Sequence, residues 1–75
     1  MTKEEFEDLD LDRSIVRFKN IHGEHIHALV VSVSAETGKV HAVQFKDNMP
    51  FCKHYSELHY VGTPGTDSPY LTDYL

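Results

Sequence analysis

Residues 13–48 read RSIVRFKNIHGEHIHALVVSVSAETGKVHAVQFKDN and set most of the fold predicted for this chain. Apolar and polar residues alternate over 14–19, whereas 25–34 is apolar on both faces near its centre. Alternation with a period of two is typical of a strand covered on one face, and a doubly apolar run is typical of a strand inside a sheet. A further run of apolar residues follows the turn at 35–39. Together these segments predict three consecutive strands of a small barrel.

The turn AETGK, residues 35–39, determines the predicted pairing of the second and third strands. Gly38 suits the left-handed position of a type I turn with a G1 bulge. If Ala35 faces Lys39, the paired residues are Val33 with His41, Val31 with Val43, and Leu29 with Phe45. This register predicts an inward face formed by Val16, Phe18, Leu29, Val31, Val43 and Phe45.

The remainder of the chain predicts two further strands and two flanking segments. A loop over 46–50 contains Pro50, which cannot donate to a strand ladder, and leads to a fourth strand over 51–54. A 3₁₀ turn over 55–58 precedes a fifth strand over 59–61. We therefore predict a mainly β protein: a small five-stranded antiparallel barrel (13–62), an acidic segment with a short helix (1–12) and an irregular tail (63–75).

The two ends of the chain carry apolar residues that allow two interpretations. Thr2 and Glu5 form a capping box, which predicts about two turns of helix with Phe6 and Leu9 on one side. This pair either covers an open end of the barrel or docks on a partner. In the tail, PYLTDYL either folds back onto the barrel or anchors in a partner's groove.

Charge is distributed unevenly along the 75 residues, whose formal net charge is −5. Segment 1–12 sets one lysine against six carboxylates, 13–62 has six cations and four acids, and the last thirteen residues add two acids. Such crowding of like charge indicates a basic partner rather than simple solvation. The predicted partner-binding residues are Glu4, Glu5, Phe6, Glu7, Asp8, Asp10 and Asp12.

The runs IVRFKN, HALVVSVSAETGKVHAVQF and SELHYV resemble the SH3-like small barrels, including Tudor-like and KOW-like modules, over about two-thirds of the chain. The resemblance implies an aromatic cage in the Tudor-like case, for which this chain offers Phe51, Tyr55 and Tyr60 without any tryptophan. In the KOW-like case it implies contact with nucleic acid or the transcription machinery. Because such barrels have many unrelated functions, no functional residue is transferred.

An enzyme is not predicted. A chain of 75 residues has one small core and little room for a catalytic cleft, and it contains neither GxSxG nor a phosphate-binding glycine loop. Cys52 is the single cysteine and is predicted to be a half-buried strand residue, with His54 as the nearest candidate base. The acidic N-terminus lacks a signal-peptide pattern and no apolar run spans a membrane, so we predict a cytoplasmic protein.

Six histidines are the least usual feature of the composition. His25 and His27 lie on one side of a strand, and the predicted register brings Asp47 opposite His27. These three could share a zinc ion, the one cofactor considered. Two alternatives are an ordinary His27–Asp47 pair at the barrel rim and a pH sensor in which clustered imidazoles repel when protonated.

These observations favour a non-enzymatic adaptor or inhibitor, of the type that phages and mobile elements encode. It would bind a larger protein with a basic surface through the acidic segment and one barrel face. The first alternative is a nucleic-acid or ribonucleoprotein module, although the net acidity weighs against autonomous binding. Its predicted contacts are Arg17, Lys19, Lys39 and Lys46. The second alternative is the histidine metal site, and no membrane partner is predicted.

Overall fold

A computed structural model describes residues 1–63 and shows one mainly β unit with a five-stranded antiparallel sheet in that part of the chain. Its elements are α1 (Lys3–Glu7), β1 (Ile15–Lys19), β2 (His25–Ser34), β3 (Lys39–Gln44), β4 (Pro50–His54), a 3₁₀ turn (Tyr55–Glu57) and β5 (His59–Gly62). The predicted fold class is confirmed. Apart from Thr63, the predicted C-terminal tail lies outside the described residues.

The strand order in the sheet is β4-β3-β2-β1-β5. The first four strands follow one another as an antiparallel meander, and the 3₁₀ turn then leads β5 to the free side of β1. Within 1–63, β4 and β5 are the two edges of the sheet, with no pairing between them. Closure of the sheet into a barrel therefore stays a prediction.

The β2–β3 hairpin has a different register from the predicted one. Val33 pairs with Val40 and Leu29 pairs with Val43, because four residues separate the paired Ser34 and Lys39. The Gly38 N–H donates to the Ser34 carbonyl at 2.9 Å, and Gly38 has the expected positive φ of 72°. A β-bulge between Val30 and Ser32 then shifts the pairing by one more residue.

The changed register reverses the predicted faces of β2 and β3. Strand side chains alternate, so a shift of one residue moves an entire set to the other face. The buried core cluster consists of Phe6, Val16, Ala28, Val30, Val40, Ala42 and Leu58. Of the predicted inward residues, Val16 is in this core and Phe18 packs against it, partly buried. The other four, Leu29, Val31, Val43 and Phe45, are half-buried and absent from the core cluster.

The predicted N-terminal helix is present and is shorter than two full turns. The Thr2 hydroxyl accepts from the Glu5 N–H at 3.1 Å, and the Glu5 carboxylate accepts from the Thr2 N–H at 2.8 Å, which completes the capping box. The Phe6 ring stacks on Tyr55 with centroids 4.9 Å apart, and Leu9 packs against the same cluster. The apolar pair of this segment therefore covers the core, which was the first of its two interpretations.

A pair of alanine variants distinguishes the two registers. Val30 is 0% exposed in the core, whereas Val31 lies in the bulge and is half-buried. We expect Val30→Ala to lower the free energy of unfolding by about 2–3 kcal/mol and Val31→Ala by less than about 1 kcal/mol, because only the first leaves a core cavity. Urea denaturation followed by circular dichroism measures both losses. A larger loss for Val31→Ala than for Val30→Ala would support the register predicted from the turn.

Candidate functional site

Acidic residues are excluded from the sheet. None of the five strands contains Asp or Glu, and all ten acids of residues 1–63 lie in the N-terminal segment, the turns or the 3₁₀ turn. The strands do carry four cations and five of the six histidines. These cations are Arg17, Lys19, Lys39 and Lys53. Lys53 lies over the Phe18 ring at 5.0 Å, on the core side, whereas Arg17 and Lys19 alternate away from the core residue Val16. The acids are thus separate from the basic and imidazole groups of the strands.

The acidic ridge is defined here as the side chains of Glu4, Glu7, Asp8, Asp10 and Asp12, all of which are exposed. No ion pair or side-chain hydrogen bond joins any of these carboxylates to another residue of 1–63. Glu5, predicted with this set, is half-buried and serves in the capping box. The ridge therefore presents five carboxylates without a cationic partner in the described part of the chain.

The C-terminal end of the ridge is hydrogen-bonded through its backbone to the sheet. The Asp12 N–H donates to the Val30 carbonyl at 2.7 Å, and the Ser14 N–H donates to the Asp10 carbonyl at 2.9 Å. The buried Ser14 hydroxyl also accepts from the Asp10 N–H at 2.9 Å. Phe6 was predicted to bind a partner, but it is 6% exposed. Its ring is thus used for the core and is not displayed beside the ridge.

The outer sheet face is the face opposite the core cluster. Arg17 on β1 lies between His27 on β2 and His59 on β5, and the Phe45 N–H extends this row by donating to the His27 carbonyl at 3.1 Å. His25 pairs with Lys19 at the end of β1. By strand alternation, these imidazoles and cations project from one face.

A shallow depression of about 300 Å³ opens at one end of this face and is lined by His25, Ile26, His27, Phe45 and Lys46. β1 and β3 run in the same direction, so the β1–β2 and β3–β4 turns meet at this end. Burial lowers the pKa of the His27 imidazole below its usual range, and the nearby Arg17 and His25 charges lower it further. Lys46 lines the depression and Arg17 and Lys19 lie beside it on β1, so its surroundings are rich in cations.

The three predicted zinc ligands do not meet. In the observed register Phe45 rather than Asp47 lies opposite His27. Asp47 belongs to the following turn, where its carboxylate accepts from the Met49 N–H at 3.0 Å. Among residues 1–63 no group of three His, Cys, Asp or Glu side chains is placed to hold a metal ion. The proposed His25, His27 and Asp47 site therefore fails, and its failure follows from the wrong register.

The predicted nucleic-acid contacts are divided between two ends of the sheet. Arg17 and Lys19 pair with His27 and His25, which line the depression together with Lys46. Lys39 lies at the opposite end of β3 and pairs with His54. The sequence alone did not associate these histidines with the cations, whereas the structure brings them together around the depression.

Cys52 is exposed, which corrects the prediction of a half-buried thiol. Its Sγ lies 3.7 Å from Nε2 of His41 on the neighbouring strand. His54, the candidate base chosen by sequence proximity, instead accepts from the Ser56 N–H through Nδ1 and stacks on Tyr55. The β3–β4 register, which pairs His41 with Cys52, was the signal needed to find this contact.

No family model, curated protein or solved structure matches the chain significantly. The resemblance to SH3-like barrels consequently stays a prediction. In residues 1–63, no helix has the length and apolar character needed to cross a membrane.

Proposed function

We propose that this chain is a non-enzymatic interaction protein, an adaptor or inhibitor, which binds a basic surface of a larger protein through the acidic ridge. The supporting observation is that five exposed carboxylates project from a segment whose backbone is anchored to the sheet and whose Phe6 and Leu9 side chains pack in or against the core. The contribution of a sheet face to this contact stays a prediction.

Electrostatics favours such a contact. Clustered like charges repel one another in the isolated chain, and a complementary basic surface relieves that repulsion while accelerating the encounter. Hydrogen bonds from Asp12 and Ser14 hold one end of the ridge, and the capped helix with its buried Phe6 holds the other, so little backbone freedom is lost on binding. Both effects depend on carboxylate charge rather than on Phe6.

The test must remove charge without removing core residues. Deleting 1–12 would also remove Phe6, so loss of binding could follow from loss of folding. We expect the double variant Glu4→Gln/Glu7→Gln to bind a partner captured from the native cell with about tenfold lower affinity. Two exposed ion pairs together contribute on the order of 1.4 kcal/mol to the binding free energy. Calorimetry with the purified partner measures the affinity.

Glu36→Gln/Glu57→Gln is the matched control, because it removes two exposed carboxylates outside the ridge. It should leave affinity unchanged, and both double variants should unfold at nearly the wild-type denaturant concentration. Equal affinities for the two variants would exclude the ridge as the binding surface. The association rate for wild type should also fall more steeply with salt than that of the ridge variant.

A further inference from the structure

The depression on the outer sheet face is a second charged surface, independent of the acidic ridge. Lys46 and His25 line it, while Lys19 and Arg17 flank it through their pairing with His25 and His27. Lys19, His25 and Lys46 are exposed. The two acids nearest in sequence, Glu24 and Asp47, accept hydrogen bonds from Asn20 and Met49 within their own turns.

We propose that this depression binds a backbone phosphate of single-stranded nucleic acid, and binds it more tightly as the pH falls. Lysine and arginine supply charge-assisted donors to phosphate oxygens, and a protonated imidazole adds a donor at each ring nitrogen. A volume of about 300 Å³ is at the lower end of small-ligand sites and suits one nucleotide unit. The proposal does not depend on the function assigned to the ridge.

The arrangement of the cations favours an extended strand. Arg17 and Lys19 lie two residues apart on one face of β1, which places them about 6.5–7 Å apart. They can therefore contact phosphates beyond the one in the depression. Ile21 and Met49 are 96% and 57% exposed in the two turns that meet at this end. Unstacked bases of a single strand can cover such apolar surface, whereas a duplex keeps its base faces hidden.

The pH dependence follows from the groups around His25 and His27. Arg17 and Lys19 face them from β1, Lys46 follows β3, and His59 lies across Arg17 on β5. His22 and Glu24 are in the adjoining turn, and Asp47 is in the other turn. Burial and neighbouring positive charge lower the pKa of His27 in the free chain. A bound phosphate favours the protonated imidazoles, so binding takes up protons and strengthens in acid.

Binding of a fluorescent oligothymidylate of about eight nucleotides to the full chain tests the proposal by anisotropy across salt concentrations. With three cations engaged near pH 8, the slope of log affinity against log salt should be about −2. Lowering the pH to about 5.5 should steepen the slope, because each imidazole that takes up a proton on binding adds about 0.7 to its magnitude. Amide shifts in a ¹⁵N-labelled chain should be centred on His25, His27 and Lys46.

Lys46→Gln and Lys39→Gln form the matched pair, since each removes one exposed lysine: Lys39 begins β3, and Lys46 lies two residues beyond its other end. The first should reduce the magnitude of the salt slope by about 0.7, and the second should not change it. His25→Gln should weaken the pH dependence. Absence of binding at low salt near pH 5.5, or equal effects of the two lysine variants, would overturn the proposal. So would equal affinity for inorganic phosphate or for a duplex of the same length.

Discussion

Phe6→Ala should lower the free energy of unfolding by about 3–5 kcal/mol, the range for deleting a buried aromatic ring. Phe6 is 6% exposed, belongs to the core cluster and stacks on Tyr55 at 4.9 Å. Domains of this length have a total stability of about 4–11 kcal/mol, so the variant should be close to unfolding at room temperature. The helix that carries Phe6 is only five residues long and depends on this packing.

Leu11→Ala is the control within the same segment, because Leu11 is 50% exposed and lies outside the core cluster. We expect its effect to stay below about 1 kcal/mol in guanidinium denaturation. If Phe6→Ala does not fold, Phe6→Leu keeps an apolar side chain and should lose a smaller, measurable part of the stability. A fully stable Phe6→Ala variant would mean that segment 1–12 is not part of the core, and Phe6 would again be available to a partner.

Gly38→Ala should lower the free energy of unfolding by about 2–4 kcal/mol, the second large effect. Gly38 has a φ of +72°, where an L side chain is strained, and an added Cβ would lie 2.6 Å from Nε2 of His54. The His54 ring cannot move without cost, since it stacks on Tyr55 and accepts from the Ser56 N–H to cap the 3₁₀ turn. The substitution therefore combines backbone strain with disruption of the turn that leads to β5.

Gly23→Ala separates these two contributions. Gly23 also has a positive φ, of +80°, but its added Cβ would find only the Lys19 side chain, at 4.0 Å. We expect a loss of about 1 kcal/mol, from backbone strain alone. Thermal and urea unfolding of the two variants give the difference. Equal losses would show that the close approach of His54 to Gly38 has no energetic consequence.

Local sequence patterns predict the fold class well and the register poorly. Alternation over 14–19, Gly38 and the Thr2–Glu5 capping box each depend on residues close together in the chain, and each has its expected structure. The register depends on the loop length between Ser34 and Lys39 and on the bulge at Val31. Three-residue and four-residue turns can both use a left-handed glycine, and nothing in the apolar run 28–31 marks a bulge.

The two candidate surfaces also differ in how far the sequence predicts them. The acidic ridge is predictable because it is a contiguous run of charge, although the sequence does not show that Phe6 is withdrawn into the core. The set around the depression joins Lys19 and His25 to Lys46, and the His41–Cys52 contact joins β3 to β4. Both groupings depend on how the strands pair. The wrong β2–β3 register therefore predicted Asp47, rather than Phe45, as the residue opposite His27.

Local composition and periodicity determine the secondary structure and the strand count. They also determine how charge is divided between segment 1–12 and the rest of the chain. Which side of β2 and β3 is buried, and which imidazoles share a surface with which cations, were decided only when the strands paired. The physical reason is that side-chain direction reverses at every residue of a strand. A single bulge can therefore exchange core for surface while leaving the apolar content of the strand unchanged.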